Sequence, residues 1–406
     1  MQQFNWLNEL KLRGSWGIVG NVLALGSYST ATNLIPRNAV FNQKIMMGYT
    51  AAKAVNTNLK WESTTKKNIG LDVTVLNSTL YFVSDFYLED THDLLFEQPI
   101  PTSTGLGNSS AEGYTGVSSN PYDNIGHVRN TGFNLELGYR KRIGNWSYDV
   151  SVNLSHVSNK VIDLKGLSLL DTDNNTMTQG GYPVGSYYGY LTKGLFRTQA
   201  DLDNNSKYLG SAIGDIWYLD VNGKDDNGNL TGKPDGKIDA DDRVVFGKVR
   251  PDFSYGISGQ AGYKNFTLQL QLQGIQGIDK YMRSGQWATD MFGGEANMEA
   301  DYILDRYHPE KNPNGKYPKI SRASSGHNDV FSDFWMIDGS YLSIRNVNLN
   351  YKVPENISGK KLWVKDLNVY CSVQNLYTFG NAYAEISNTV NIPIPRTWTF
   401  GLKFSL

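Results

Sequence analysis

Every second side chain is apolar in ten segments of this sequence, and the segments are long enough to span a lipid bilayer. The cleanest example closes the chain. There Trp398, Phe400, Leu402, Phe404 and Leu406 alternate with Thr397, Thr399, Gly401, Lys403 and Ser405. The same alternation runs through "NIGLDVTVLNSTLYFVSDFYLED". Ile69, Leu71, Val73 and Val75 oppose Gly70, Asp72 and Thr74 before the turn; Leu80, Phe82, Phe86 and Leu88 oppose Tyr81, Asp85 and Glu89 after it. Period two is the signature of a β-strand with one face in oil and one in water. The segments are roughly 9–18, 61–76, 79–91, 127–142, 146–158, 252–263, 265–275, 340–352, 366–378 and 395–406.

Connection lengths narrow the choice further. Short turns are expected at Asn77–Thr79, Ile143–Asn145 and Tyr263–Asn265, with a moderately longer one at Pro354–Lys365. Long polar stretches fill 19–60, 92–126, 159–251, 276–339 and 379–394. Alternating short turns and long loops is the pattern of outer-membrane barrels, whose periplasmic turns are tight and whose extracellular loops are large. Strands of about ten residues suffice to cross at a tilt near 45°. Closure into a barrel is how a β structure satisfies its backbone in lipid. Trp61, Trp146, Tyr148, Tyr263, Tyr351, Tyr377 and Trp398 fall at or near strand ends, where amphipathic rings match the headgroup level. The predicted fold is therefore all-β, an antiparallel transmembrane β-barrel with long extracellular loops. The alternative from the same alternation is a soluble or surface-attached carbohydrate-binding β protein.

Composition agrees and excludes other classes. Only 40% of residues are hydrophobic, which suits a wall that needs every second position apolar. Lys and Arg total 38 against 39 Asp and Glu, so no basic excess points to nucleic acid. The single cysteine, Cys371, leaves no intramolecular disulfide framework, and the five histidines are not paired at metal spacing. No G-x-S-x-G elbow or H-E-x-x-H pair occurs, and "GLGNSS" lacks the last glycine of G-x-G-x-x-G. No catalytic residues are expected.

Two groups of residues are candidates for binding. In "GDIWYLDVNGKDDNGNLTGKPDGKIDADDR", Asp220, Asn222, Asp235, Asp239 and Asp242 supply the oxygen donors that calcium prefers. The two halves are split by residues 223–234, and no glutamate closes a twelve-residue loop. The competing expectation is a solvated acidic turn, which favours the same residue types. Loop aromatics, chiefly Tyr187, Tyr188, Trp217, Trp287 and Trp335, are candidates to touch a ligand or a partner, because interfaces are rich in Tyr and Trp. Lys11, Arg13, Glu62, Lys66, Asp72, Glu136, Arg140 and Asp149 should face the barrel interior with mixed sign, giving no charge selectivity.

The blocks "LNELKLRGSWGIVGN", "NTNLKWESTTKKNIGLDVTVLNSTLYFVSDFYLEDTHDLL", "VRNTGFNLELGY", "GDIWYLDVNG", "DGKIDADDRVVFGKVRPDFSYGISG", "GSYLSIRNVNLNYKVP" and "LNVYCSVQNLYTFGN" span nearly the whole chain. In this order they resemble the C-terminal half of the SusC/RagA family of TonB-dependent outer-membrane transporters from Bacteroidota. That resemblance implies a barrel of about 22 strands around an N-terminal plug. It also implies a SusD-like surface lipoprotein as lid, glycan or peptide cargo, and drive from the TonB complex. Residues 1–406 are then expected to be about ten C-terminal strands of the barrel domain, with plug and signal peptide absent. No cofactor is implied beyond calcium in 214–243.

Overall fold

The structure, a computed structural model, describes residues 6–21, 30–32, 34–51, 54–98, 121–171, 175–225, 228–281, 300–320, 327–354, 365–380 and 394–405. Strand β1 (Leu7–Asn21) is followed by a separate hairpin, β2 (Leu34–Phe41) and β3 (Lys44–Ala51). Then come the long strands β4 (Glu62–Val75), β5 (Leu80–Glu97), β6 (Tyr122–Ile143) and β7 (Trp146–Asp163). After these, β8 (Leu169–Asp171), β9 (Thr176–Thr178), β10 (Ser186–Gly189), β11 (Thr192–Leu195), β12 (Ile216–Tyr218) and β13 (Val244–Val245) are short. The chain continues through β14 (Phe253–Tyr263), β15 (Phe266–Gln276), β16 (Asp279–Tyr281), β17 (Met336–Asp338), β18 (Tyr341–Lys352), β19 (Lys365–Gly380) and β20 (Thr397–Ser405). Helices α1 (Gln199–Asp203) and α2 (Ala300–Leu304) are one turn each.

Ten of these strands make one antiparallel sheet in the order β1-β4-β5-β6-β7-β14-β15-β18-β19-β20. Each expected segment overlaps one of them. This is an up-and-down antiparallel sheet, each of its strands bonded to the next sheet strand along the chain.

The register tests the period-two reading across the whole sheet. Leu10, Val73, Phe82, Leu137, Val152, Ile257, Leu272 and Ile344 are partners in turn across eight strands. A second row runs Leu268, Leu349, Cys371, Phe400. Cys371 is thus a packed residue of the apolar face. Large side chains of these and parallel rows stay open to the surroundings: Leu12 and Phe400 are each 74% exposed, and Trp16, Ile69, Phe86, Leu268, Leu349 and Leu402 are exposed as well. Burying one such side chain contributes about 1.5–3 kcal/mol. A dozen left in water would forgo roughly 20 kcal/mol, more than the whole stability of an ordinary domain, about 5–15 kcal/mol. The outward face is lipid-facing.

Aromatic rings edge that face. Near the short turns Trp146 lies 4.5 Å from Tyr263 between ring centroids, and Phe266 lies 4.6 Å from Tyr351. Toward the long loops Phe86, Phe133, His156 and Phe253 form a second line, with neighbouring centroids 6.1, 5.5 and 5.2 Å apart. The opposite face is polar and cross-linked. Arg13 donates to both Asp72 (2.7 Å) and Asp85 (2.7 Å). Tyr81 donates to Glu136 at 2.7 Å, and Gln269 bridges Gln260 and Asn348 at 3.0 and 3.1 Å.

Two features depart from expectation. Strands β5, β6 and β7 run on well past 91, below 127 and past 158, so parts of the expected loops 92–126 and 159–251 are strand. Their tops leave lipid and gain a small core of Val128, Val161 and Leu164 with Leu94, Phe96, Leu167 and Val184. Burial there is set by packing between strands and loop, so the simple alternation is lost. The β2–β3 hairpin also lies within the expected loop 19–60. Its turn uses Asn42 and Gln43, both at positive φ (46° and 61°), as a two-residue hairpin of the primed type requires.

Candidate functional site

The connections between β7 and β14 and between β15 and β18 fold together on the long-loop side of the sheet. Strands β13, β10, β9 and β8 form a small sheet, β11 pairs with β12, and β16 pairs with β17. The last pairing closes the second connection on itself, since β16 lies at its start and β17 at its end, and Tyr190 in the first connection bridges Ser332 in the second. A shared core of Tyr190, Leu195, Ile216, Tyr218, Ile238, Tyr307 and Trp335 draws residues from both.

A buried polar knot fixes this arrangement. Asn328 is fully buried; its amide nitrogen donates to Asp215 at 2.9 Å and its amide oxygen accepts from the Ile216 N–H at 2.8 Å. The Asn328 carbonyl accepts from Trp335 Nε1 at 3.1 Å. Asp215 also receives the Ala212 N–H at 2.9 Å and pairs with Lys319 at 3.2 Å. Asn328 and Asp215 therefore both have partners, which spares Asp215 the penalty of a lone buried charge. Burial raises the Tyr190 phenol to about 12. It also raises the Asp333 carboxyl, against the opposing hydrogen bond from Thr192 at 2.6 Å.

The loop aromatics separate by burial. Tyr187 is 8% exposed and packs on Phe246 and Phe331; Trp335 is 4% exposed and lies in the shared core. Both are committed to holding the loops together and present no open ring face. Trp217 is half-buried, with Phe196 stacked parallel at 5.0 Å and the Lys193 ammonium 4.4 Å from its ring centre. Tyr188 is half-buried beside the Arg243 guanidinium, 5.9 Å from its centroid. Trp287 lies outside the described residues.

The acidic stretch is organised by its own backbone. Asp242, almost fully buried, accepts from Val221 and Asn222 N–H groups through one oxygen (2.8 and 3.1 Å) and from Asp239 N–H through the other (2.9 Å). Asp220 accepts from the Asp235 and Gly236 N–H groups and from the Ser206 hydroxyl. Asp235 and Asp239 each accept an N–H two residues on, and Asn222 accepts from Gly232. These are turn and cap bonds. Among the described residues no three His, Cys, Asp or Glu side chains converge as a metal site needs. Asp220, Asn222, Asp235, Asp239 and Asp242 each spend at least one side-chain oxygen on a peptide N–H group as placed.

Charges on the polar face of the large sheet are mostly paired. Besides the Arg13 fork, Lys66 meets Glu89 at 2.8 Å, Arg140 meets Asp149 at 2.8 Å, and Lys11 lies 3.7 Å from Asp72. Glu62 is buried and accepts from Asn21 and the Leu95 N–H. The residues that sequence reasoning did not single out are Asp215, Lys319 and Asn328. Asn328 and Asp215 are 113 positions apart, and nothing local announces their meeting.

Comparison with known proteins follows the same lines. A family model described as TonB dependent receptor-like, beta-barrel, matches residues 3–376. The chain is 29% identical to TonB-dependent receptor P26 of Formosa agariphila, an alignment covering 99% of this chain and 40% of that protein. It is 26% identical to TonB-dependent receptor SusC of Bacteroides thetaiotaomicron, over 100% of this chain and 38% of that one. Among solved structures, the RagAB peptide importer in its open-open state superposes with a TM-score of 0.74 at 23% identity, covering 100% of this chain and 41% of that chain. The chain thus spans about two fifths of the length of the relatives it matches.

Proposed function

The chain belongs to the TonB-dependent receptor β-barrel family, and from that premise we propose that it forms part of an importer for oligosaccharides or peptides, working with a SusD-like surface lipoprotein. It is an outer-membrane protein of the SusC/RagA type. The observation that carries the proposal is the two-faced sheet crowned on one side by a folded loop assembly. Lipid-facing rows, a hydrogen-bonded polar interior and a folded extracellular rim are the parts a gated importer needs. The whole protein, in this reading, adds a plug and a segment that engages the TonB complex, with the remaining strands closing a barrel of about 22. Cargo passes without covalent chemistry, as the transporter family implies.

A SusC-like relative and a peptide importer are both similar to the chain, so cargo class is decided by uptake. Cells lacking the gene are compared with cells carrying it, using fluorescent maltooligosaccharides in one arm and a mixed tryptic peptide pool in the other. The expected result is accumulation in one arm only, lost on deletion and lost when the proton gradient is collapsed. Uptake unchanged by deletion in both arms would overturn the proposal. Uptake that survives collapse of the gradient would make the protein a passive pore.

A further inference from the structure

On the outward face, above the second aromatic line, the residue rows change character. The line Ile69, Phe86, Phe133, His156 and Phe253 is followed two residues up by Lys67, Leu88, Thr131 and Ser158, partners across β4 to β7. The next row is Thr65, Asp90, Arg129 and Lys160. Successive rows on one face are about 6–7 Å apart along the strand. Between the first two rows lies an open groove of about 540 Å³, lined by Lys67, Ile69, Phe86, Leu88, Phe133 and His156 among others.

The charges above the groove do not cancel. Asp90 is taken by Arg129, at 2.7 and 3.3 Å, with His127 at 3.3 Å. Lys67 and Lys160 have no carboxylate partner among the described residues, and both are exposed. His92 stacks on His127 at 4.1 Å beside the same carboxylate. An apolar trough in a membrane-facing wall is filled by hydrocarbon, and uncompensated cations one and two rows higher call for anions at headgroup height. The groove is on the long-loop side, hence in the outer leaflet.

We infer that this groove seats a phosphate-bearing lipid of the outer leaflet, one acyl chain lying against Phe86, Phe133 and His156, with Lys67 and Lys160 meeting its phosphates. The site rests only on the outward face meeting lipid. Cargo uptake plays no part, so a protein that imports normally yet shows no phosphate preference refutes the lipid site alone.

The test uses the whole protein purified in mild detergent and native mass spectrometry of lipid carried through the purification or added back. The probe is diphosphoryl lipid A, with the same molecule stripped of phosphate as comparator. Wild type should retain the phosphorylated form in preference, and Lys67→Gln should lower retention about five-fold. Lys67→Gln with Lys160→Gln should abolish the preference, and Lys67→Arg should keep it. Lys141→Gln, which removes an outward cation at the short-turn end, should change nothing. Heat-modifiable migration on gels checks that each variant is folded. Equal retention of both lipids by wild type, which needs no variant, would overturn the inference, as would a folded double glutamine variant that keeps the preference.

Discussion

Leu135 and Asn134 are neighbours in β6 and look into different media. Leu135 pairs with Ser84 and Leu154 on the outward face, whereas Asn134 pairs with Asp85 and Ser155 on the polar one. Leu135→Arg should therefore cost about 2–4 kcal/mol in refolding into lipid, and Asn134→Arg should cost much less. Urea titration of both variants in lipid vesicles decides; a larger loss for Asn134→Arg would mean the faces are reversed. Asp333 gives a second residue-level expectation. Its carboxyl sits above the ordinary value of 3.8 because it is buried, so the folded loop assembly binds that proton more tightly than the unfolded chain does. The group's contribution is present in full below about pH 4 and is lost as pH rises through the raised folded value. Hydrogen exchange of residues 328–338, corrected for intrinsic rate, should thus show weaker protection from pH 4 to 7. Asp333→Asn should flatten that slope; an unchanged slope would assign the effect to other groups. At this scale the lipid-facing residues were legible, because a period of two needs only nearest neighbours. Tyr187 and Trp335 were not: their burial depends on segments such as Asn328 and Phe331 that reach them by tertiary packing, and an aromatic ring reads the same in a sequence whether it packs a core or greets a ligand.

Between strands, glycine and tyrosine are matched. Tyr81 is the direct partner of Gly138, Tyr87 of Gly132, Tyr255 of Gly274 and Tyr370 of Gly401. In each pair the ring lies over the glycine: a Cβ on Gly138 would fall 2.0 Å from Tyr81 Cε1, and one on Gly401 2.4 Å from Tyr370 Cζ. The ring covers backbone that a glycine would otherwise leave bare, an arrangement that also pins register. Gly138→Ala should consequently cost about 1–3 kcal/mol through overpacking, while Gly14→Ala, with nothing within 4 Å of its Cβ, should be near neutral. Midpoints of urea unfolding compare the two, and equal midpoints would show that the rings swing away freely. The long strands were readable from alternation and the Asn- and Gly-bearing turns. The β2–β3 hairpin was hidden by an Asn-Gln turn, which lacks the usual Asn-Gly signal. The upper parts of β5 to β7 were hidden because they leave lipid and so lose the strict contrast between faces.

For the molecule as a whole, the up-and-down order places all short turns on one side of the membrane and the loop assembly on the other. An epitope inserted beside Asn312 should be reached by antibody on intact cells, and one at Gly144 only after permeabilisation. Labelling at Gly144 on intact cells would invert the orientation. Strand order was legible because each long strand bonds the next long strand along the chain, so topology follows from the order of the alternating segments. The loop assembly was not, since its core is written in two separate stretches on either side of the β14–β15 hairpin. That split has a consequence for how such proteins diversify. A genetic exchange that replaces only one of the two stretches leaves Asn328 without Asp215, or Asp215 with neither Asn328 nor Lys319, and a buried group without its partner costs about 1–3 kcal/mol or more. Viable recombinants should carry crossover points before β8 and after β17, so that both stretches, with the hairpin between them, are inherited as one cassette.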